Sequence, residues 1–469
     1  DPSTVASPFT TVEGSGTDFA NGEIQAGDSI KILEEIFTVL SITDEDTLEL
    51  DSNYAGDNAS GLTAYTDPDL FGVRSGDDKG RFIVSSTSRI SLSNNDLGAE
   101  NTVFGYQAGN QIVSGVDKNT FIGYQVADAV LTNAADNNTG VGYAALGALT
   151  SGANNIAVGS YAGINVNTGS NNTFIGKSAG NNYNSSSVTA IGSSAAAAIS
   201  SANGDGTVAV GASALAANTT GAGNIAIGYQ ALKENEDGAR NIAIGYGAMD
   251  SQQAGGDQGN SDGSSDNIFM GYDSGGGAWA DVLSTHNVAI GNFTMDAVMS
   301  GALHNTAVGN ASLGALTTGD ANIGVGSFAA NNTTTGVSNV AIGSYDGSNY
   351  GALTTNIVGS YNIAIGTAAL STANATDNDG TVAIGHAACK VQAGTGGSQY
   401  DNATTAVGFV SLTSLTTGLG NTAIGAFTLD AEDDGDFNTA VGYQALTDQT
   451  GGDSDGGGAT VIANTAVGY

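Results

Sequence analysis

The sequence has few positive charges and no long apolar run. Only 10 of its 469 residues are Lys or Arg, against 46 acidic residues, so the formal net charge is −36. A field of that sign repels nucleic acid and anionic membrane surfaces. No apolar run is long enough to cross a bilayer. We therefore expect no nucleic-acid partner and no membrane insertion.

Cysteine, proline and histidine are also scarce. The single cysteine, Cys389, excludes an intrachain disulfide and is expected to be a small buried side chain. The 3 prolines all lie before residue 70, and the 71 glycines follow no Gly-x-y triplet, which excludes collagen. The three histidines, His286, His304 and His386, each sit alone in the sequence, so we expect no transition-metal site.

What the sequence does contain is a repeated pentad, Asn-x-Ala-Ile/Val-Gly. Its glycine occurs twenty times between residues 105 and 468, at intervals of 16 to 20 residues except for two of 23 and two of 26. A period of that length predicts a solenoid, here a long parallel β-solenoid (β-roll) shaft over residues 98–469. The positions that represent the structural repeat are Asn224, Ile227, Gly228, Asn241, Ile244, Gly245, Asn438, Val441 and Gly442.

The columns of the repeat predict which side of each strand faces inward. Ile or Val precedes the glycine in eighteen copies, and Ala lies two positions before it in fourteen. Successive strand residues point to opposite faces, so these two columns cannot share one. We expect the branched Ile and Val to fill the interior, and the small Ala face to point outward and pack against other copies in a homotrimer.

The glycine and asparagine columns have structural explanations as well. The glycine is expected to mark a positive-φ corner. Asn occupies the position four before the glycine in sixteen copies and is replaced by Val188, Thr207, Thr381 and Thr404 in the others. Stacked amides can hydrogen-bond along the ladder, and Asn tolerates a left-handed corner.

Residues 1–97 lack the repeat and predict a separate module. Short alternating segments at 10–19, 27–32, 36–42, 46–50, 71–74 and 81–84 are bounded by turn residues, and 89–92 leads into the shaft. This pattern is typical of a small antiparallel β-barrel or sandwich. The fold class is therefore all-β, with a compact N-terminal module followed by the solenoid shaft.

Both regions resemble proteins of bacteriophage tail fibres. The segments Glu-Gly-Ser-Gly-Thr-Asp-Phe at 13–19, Gly-Asp-Ser-Ile at 27–30 and Ser-Ile-Thr-Asp-Glu-Asp-Thr-Leu at 41–48 are similar to a small β-domain that recurs there. The Asn-Thr-Ala-Val-Gly-Tyr-Gln-Ala-Leu repeats resemble those of phage fibres and bacterial surface proteins, in which a self-cleaving trimerisation chaperone often follows. They are also similar in pattern to trimeric autotransporter adhesin heads. Because residues 464–469 stop within a repeat, we expect further chain beyond them.

The resemblance implies a virion fibre that extends from a phage tail, is extracellular, and attaches to a host-surface glycan or protein. The N-terminal module would then join a virion tail or baseplate protein. One alternative is a trimeric adhesin on a bacterial cell surface. Another is a polysaccharide-cleaving tailspike with paired acids between chains. An ice-binding solenoid would need an uninterrupted flat Thr array, whereas the threonines here are mixed with Asn and Ile.

Residues that carry chemistry are sparse. The acids cluster in variable segments such as 432–436 and 453–455, which we interpret as solvated acidic loops rather than a glycosidase pair. The segments 262–266 and 377–380 lack the spacing of an EF-hand loop. We therefore expect no catalytic residue, no metal ligand and no cofactor.

Four aromatic residues are candidates for receptor or glycan contact. Trp279 follows a glycine run, and Tyr345, Tyr350 and Tyr400 lie in long intervals between repeats, which map to projecting loops. Exposed Tyr and Trp rings can stack on sugars while their polar groups hydrogen-bond. The tyrosines that regularly follow the repeat glycine are interpreted instead as packing residues.

Overall fold

The computed structural model describes two units of the chain, Asp1–Asn95 and Asp96–Tyr469, which divide close to the predicted boundary. In the first unit it describes Ala26 and the eight strands given below. In the second it describes residues 100–182, 184–198, 204–251, 263–279, 282–347, 350–372, 379–392, 403–449 and 463–469. Tyr400 and the acidic segment 453–455 lie outside the described residues.

The first unit contains eight strands, all in antiparallel pairs. One sheet has the order β1-β4-β3-β2-β5, and a second has the order β6-β7-β8. Val39 and Leu50 are paired across β3 and β4, and both are buried. The strands are β1 (Phe9–Glu13), β2 (Ser29–Ile32), β3 (Glu35–Asp44), β4 (Thr47–Tyr54), β5 (Ala64–Asp67), β6 (Asp69–Arg74), β7 (Gly80–Ser85) and β8 (Ile90–Ser91).

The second unit is an all-β parallel solenoid, as the repeat predicts. Twenty three-residue strands, one per repeat, pair in parallel and in sequence order from β9 to β28. They are β9 (Thr102–Phe104), β10 (Thr120–Ile122), β11 (Thr139–Val141), β12 (Ile156–Val158), β13 (Thr173–Ile175), β14 (Thr189–Ile191), β15 (Val208–Val210), β16 (Ile225–Ile227), β17 (Ile242–Ile244), β18 (Ile268–Met270), β19 (Val288–Ile290), β20 (Thr306–Val308), β21 (Ile323–Val325), β22 (Val340–Ile342), β23 (Ile363–Ile365), β24 (Val382–Ile384), β25 (Thr405–Val407), β26 (Thr422–Ile424), β27 (Thr439–Val441) and β28 (Thr465–Val467).

The prediction of which strand face is buried was wrong. The central Ala226 of β16 is 0% exposed, whereas Ile227 beside it is 39% exposed. The interior is narrow because Ala231 and Leu232, from the segment after the glycine, already fill its other wall. Only a small side chain fits opposite that leucine, so the branched residue points outward. The predicted Ala contact between copies is therefore wrong too.

Where a larger residue occupies the strand centre, glycine makes room for it. Phe174 replaces the usual Ala in β13 and is 0% exposed. A Cβ on Gly180 would lie 2.3 Å from the Phe174 ring. The interior volume is thus balanced within each coil, as close packing requires.

The repeat glycine is a positive-φ corner, as predicted. Gly228 has φ 139°, and a Cβ there would lie 2.1 Å from the carbonyl oxygen of Gly245 in the next coil. The coils therefore stack at this corner backbone against backbone. Any side chain would hold them apart.

The asparagine column forms the predicted amide ladder. Asn322 Nδ2 donates to Asn305 Oδ1 at 3.1 Å and to the Gly336 carbonyl at 2.8 Å. Its Oδ1 accepts from the backbone N–H and Nδ2 of Asn339, both at 3.0 Å. The expectation that these asparagines adopt the left-handed corner was wrong, because the residue before each one does so, as Ala321 does with φ 55°.

Candidate functional site

The largest distinctive surface of the solenoid is its outward strand face. It consists of the first and third residues of the twenty strands, and we call it the outward β-branched face. Every first residue is Thr, Ile or Val, and every third residue is Ile or Val except Phe104 and Met270. Ile227, Ile290 and Ile424 are 39%, 41% and 42% exposed. Ten of the first residues are Thr, so the face is regular and accessible, and its apolar side chains are concentrated in the column of third residues.

Stacked aromatic rings follow this face just beyond the glycine corner. The rings of Tyr106 and Tyr124 are 5.2 Å apart, and those of Tyr229 and Tyr246 are 5.0 Å apart, in stacked geometry. These tyrosines pack on one another, as predicted, yet stay exposed. Where the rings are stacked, their faces cover one another, and the edges and hydroxyls face solvent.

The four predicted contact residues have different outcomes. Trp279 is 2% exposed, packs edge-on against Phe269 and donates from Nε1 to the Gly275 carbonyl at 3.0 Å. The expectation of an exposed tryptophan was therefore wrong: the ring fills the core beside a large strand-centre residue. Tyr400 lies outside the described residues.

Tyr345 and Tyr350 are 45% and 49% exposed and flank an insertion between β22 and β23. The Tyr345 hydroxyl donates to the Gly347 carbonyl at 3.2 Å, and its ring packs edge-on against Phe328. A Cβ on Gly347 would meet no atom within 4 Å, so Gly347 borders open space. These two rings remain predicted ligand contacts.

Three carboxylates line up on consecutive coils near β18. Burial, and then the neighbouring charge of Asp273, raise the pKa of Asp296 to about 6. Burial also raises the pKa of Asp250, against the effect of a hydrogen bond from Ser251. The backbone N–H groups of two glycines donate to Asp296 and favour its charged form. We call Asp250, Asp273 and Asp296 the acid column.

The segment 432–436 is not simply a solvated loop. Asp433 and Asp434 are exposed, but Glu432 is 0% exposed, so the interpretation was wrong for that residue. One oxygen each from Glu432, Asp433 and Asp434 lie within 4.8 Å of one another. Glu432 is buried because it occupies an interior position of the coil, the seventh residue after the repeat glycine.

Each histidine sits alone in the sequence, but the fold brings two of them together. The rings of His286 and His304 stack at 4.9 Å, because both occupy the position before the ladder asparagine in neighbouring coils. His286 Nε2 lies 4.0 Å from Asp266 Oδ2, and Arg240 donates two hydrogen bonds to the same carboxylate. His386 stacks on Phe409 in the aromatic column.

Cys389 is buried, as predicted, and has no disulfide partner. Burial raises the pKa of its thiol to about 12, so it stays protonated at neutral pH. Its Sγ donates to Gln392 Oε1 at 3.1 Å. This glutamine also accepts from Thr381, where the amide ladder lacks an asparagine, and so restores an amide to the interior.

The fold and surfaces define the class of protein: a repeat protein with a parallel β-solenoid. Comparison with known proteins finds no matching family model, no similar curated protein and no similar solved structure. No helix capable of spanning a membrane occurs among the described residues. The functional argument therefore depends on the surfaces themselves.

Proposed function

We propose that the chain is the structural fibre of a virion, assembled as a parallel homotrimer and used for attachment to a host surface. The observation that carries the proposal is the outward β-branched face. An exposed apolar patch larger than a few hundred Å² marks an interaction surface in most soluble proteins. Here that surface continues through twenty strands.

The size of the face fits a stable interface. At ~4.8 Å per rung the ladder extends roughly 95 Å, and two side-chain columns with the aromatic stack make a face ~10 Å wide. The resulting roughly 900 Å² per chain is comparable to the ~800 Å² that each partner contributes to a standard interface. Self-association would therefore remove the largest apolar surface from water.

Identical copies match this face better than another partner would. In parallel chains around one axis, equivalent coils of each copy lie at the same height. The spacing between coils therefore matches along the whole interface. We propose three copies rather than two because the repeats resemble those of phage fibres and of trimeric adhesin heads. A threefold rod also carries three N-terminal modules, proposed as small barrels or sandwiches that join the virion tail.

Native mass spectrometry tests the assembly. Wild type is expected at three times the 46.2 kDa chain mass. A variant with Ile227→Asp, Ile290→Asp and Ile342→Asp should be monomeric. The matched control carries three aspartates at Val282, Val298 and Ile357, which are at least as exposed and lie outside the strands. It should stay trimeric.

A wild-type monomer, or a face variant that keeps the wild-type mass, overturns the assembly proposal. A wild-type dimer keeps the face as an interface but overturns the threefold arrangement. The face variant is therefore the deciding test, because it changes this surface and the control does not.

Attachment is proposed to involve the turn that Tyr345 and Tyr350 flank. Three copies of a weak site on one rod gain avidity by multivalency. Binding of the assembled chain to an array of bacterial surface glycans should be lost in Tyr345→Ala/Tyr350→Ala. The control Tyr361→Ala removes a ring that is 60% exposed outside this turn and should bind normally. Equal binding by all three proteins would contradict the assignment.

A further inference from the structure

The turn after β26 contains a buried carboxylate in a position built for an apolar or amide side chain. Glu432 is the seventh residue after its repeat glycine, and Leu415 and Asn218 occupy the same position in other coils. All three are 0% exposed. A leucine needs no partner there. A glutamate brings two oxygens and a negative charge into the interior.

The hydrogen-bonding groups around this position satisfy an amide side chain but leave one oxygen of a carboxylate without a partner. Asn218 Oδ1 accepts from the Gly221 N–H at 2.9 Å, and its Nδ2 donates to the Gly221 carbonyl at 2.9 Å. Glu432 Oε1 makes the first bond, with the Gly435 N–H at 2.7 Å. Glu432 Oε2 is buried with no hydrogen-bond partner. Burial of an unpaired carboxylate oxygen is strongly unfavourable unless a counter-charge neutralises it.

No protein cation supplies that counter-charge in the part of the chain that the structure describes. The ion pairs found there involve Lys233, Arg240 and His286, none of them with Glu432. The groups that do approach are acidic: one oxygen from each of Asp433 and Asp434 lies within 4.8 Å of a Glu432 oxygen and of each other. The combination of a buried orphan oxygen and two converging carboxylates points to a bound cation.

We infer that Glu432, Asp433 and Asp434 bind a calcium ion. Calcium takes oxygen ligands at about 2.3–2.6 Å, so two ligands on opposite sides of one ion lie ~4.6–5.2 Å apart. The 4.8 Å limit on the three oxygens meets that requirement without rearrangement. Magnesium, at about 2.0–2.1 Å, demands near-ideal octahedral geometry and gives up its waters reluctantly, so three protein ligands from one turn suit it less well. Water completes the coordination on the exposed side.

The ion would hold two coils together as well as neutralise the turn. Thr416, in the preceding coil, donates from its N–H and from Oγ1 to the Asp433 carbonyl, both at 2.7 Å. The Leu419 N–H donates to Asp436 Oδ1 at 2.7 Å. Calcium at the turn therefore fixes the carbonyl and carboxylate that the preceding coil uses, which goes beyond attachment and assembly.

Calorimetric titration of the full chain tests the site, after treatment with chelator and in the presence of excess magnesium and potassium chloride. Wild type is expected to bind one calcium ion per chain in a saturable step, with a rise in Tm on addition of calcium. Both should be lost in Glu432→Gln. The control Asp273→Asn removes a charge from the acid column and should keep both.

A second variant separates metal binding from folding. Glu432→Leu restores the residue of the preceding coil, so it should fold, and its Tm should not respond to calcium. Asn438 Nδ2 is also buried without a partner, and both it and Glu432 Oε1 lie within 3.0 Å of the point where a Cβ on Gly435 would stand. A water molecule at that point would pair the Asn438 amide without an ion. Equal calcium binding by wild type and Glu432→Gln, or no saturable step in wild type, overturns the calcium site.

Discussion

Replacement of one ladder asparagine tests whether the amides hold the coils together. In Asn322→Ala the Asn339 N–H loses its acceptor and the Gly336 carbonyl loses its donor. Asn339 Nδ2 keeps its bond to the Gly359 carbonyl at 2.8 Å. Two buried backbone groups are therefore left unpaired. At ~1–3 kcal/mol each, the loss of stability should be about 2–6 kcal/mol.

The matched control is Asn310→Ala, since Asn310 is an exposed asparagine of a nearby coil with a single long hydrogen bond at 3.4 Å. Its change should stay within ~0.5 kcal/mol. Chemical denaturation gives the free energy of unfolding. The rate of hydrogen exchange should rise most at the Asn339 amide, and the increase should become smaller with distance along the ladder, because each coil contacts only its neighbours. If Asn322→Ala is as stable as the control, the ladder does not contribute as argued.

Two other changes test the corner and the acid column. Gly228→Ala adds a Cβ 2.1 Å from the Gly245 oxygen, so it should cost at least ~3 kcal/mol in urea unfolding. Gly206→Ala has positive φ but open space and should cost only ~1 kcal/mol, and equal losses would contradict the stacking argument. The pKa of Asp296 is raised above its ordinary 3.8 to about 6, so the folded chain binds this proton more tightly than the unfolded chain. Stability should therefore fall as pH rises from about 4 to 6. Asp296→Asn should remove that pH dependence. Because the carboxyl is half solvated, the substitution should raise the free energy of unfolding at pH 7, measured by thermal unfolding, by only about 1 kcal/mol. An unchanged slope would show that another group titrates.

The period, strand position and glycine corner followed from the sequence because each depends on the local backbone. The direction of the strand faces did not, because it depends on what fills the opposite wall. Asn224 and Ala226 are two residues apart and so share a face, and an amide ladder is strongest away from water. The two-residue spacing of Asn224 and Ala226, together with the apolar Ala231 and Leu232 just after the corner, could have predicted that the alanine points inward.

The surface residues were harder to predict because composition does not reveal burial. The glycines before Trp279 suggested a loop, but Gly275 makes room in the core for the Phe269 ring, against which Trp279 packs. Glu432 looked like one more acid of a polar run, and only its place as the seventh residue after the repeat glycine indicates the interior. The stacking of His286 on His304 also depends on register, since 18 residues separate them in sequence.

The amide ladder has a mechanical consequence. The strand pairings run along the stacking direction, so tension on the rod loads the interfaces between coils in series, and the weakest one yields first. Val188 and Thr207 interrupt the asparagine column in consecutive coils, and Thr207 Oγ1 is buried without a partner. Gln392 repairs the other interruption, at Thr381 and Thr404. The solenoid is therefore expected to separate first between β14 and β16 when it is pulled along its axis.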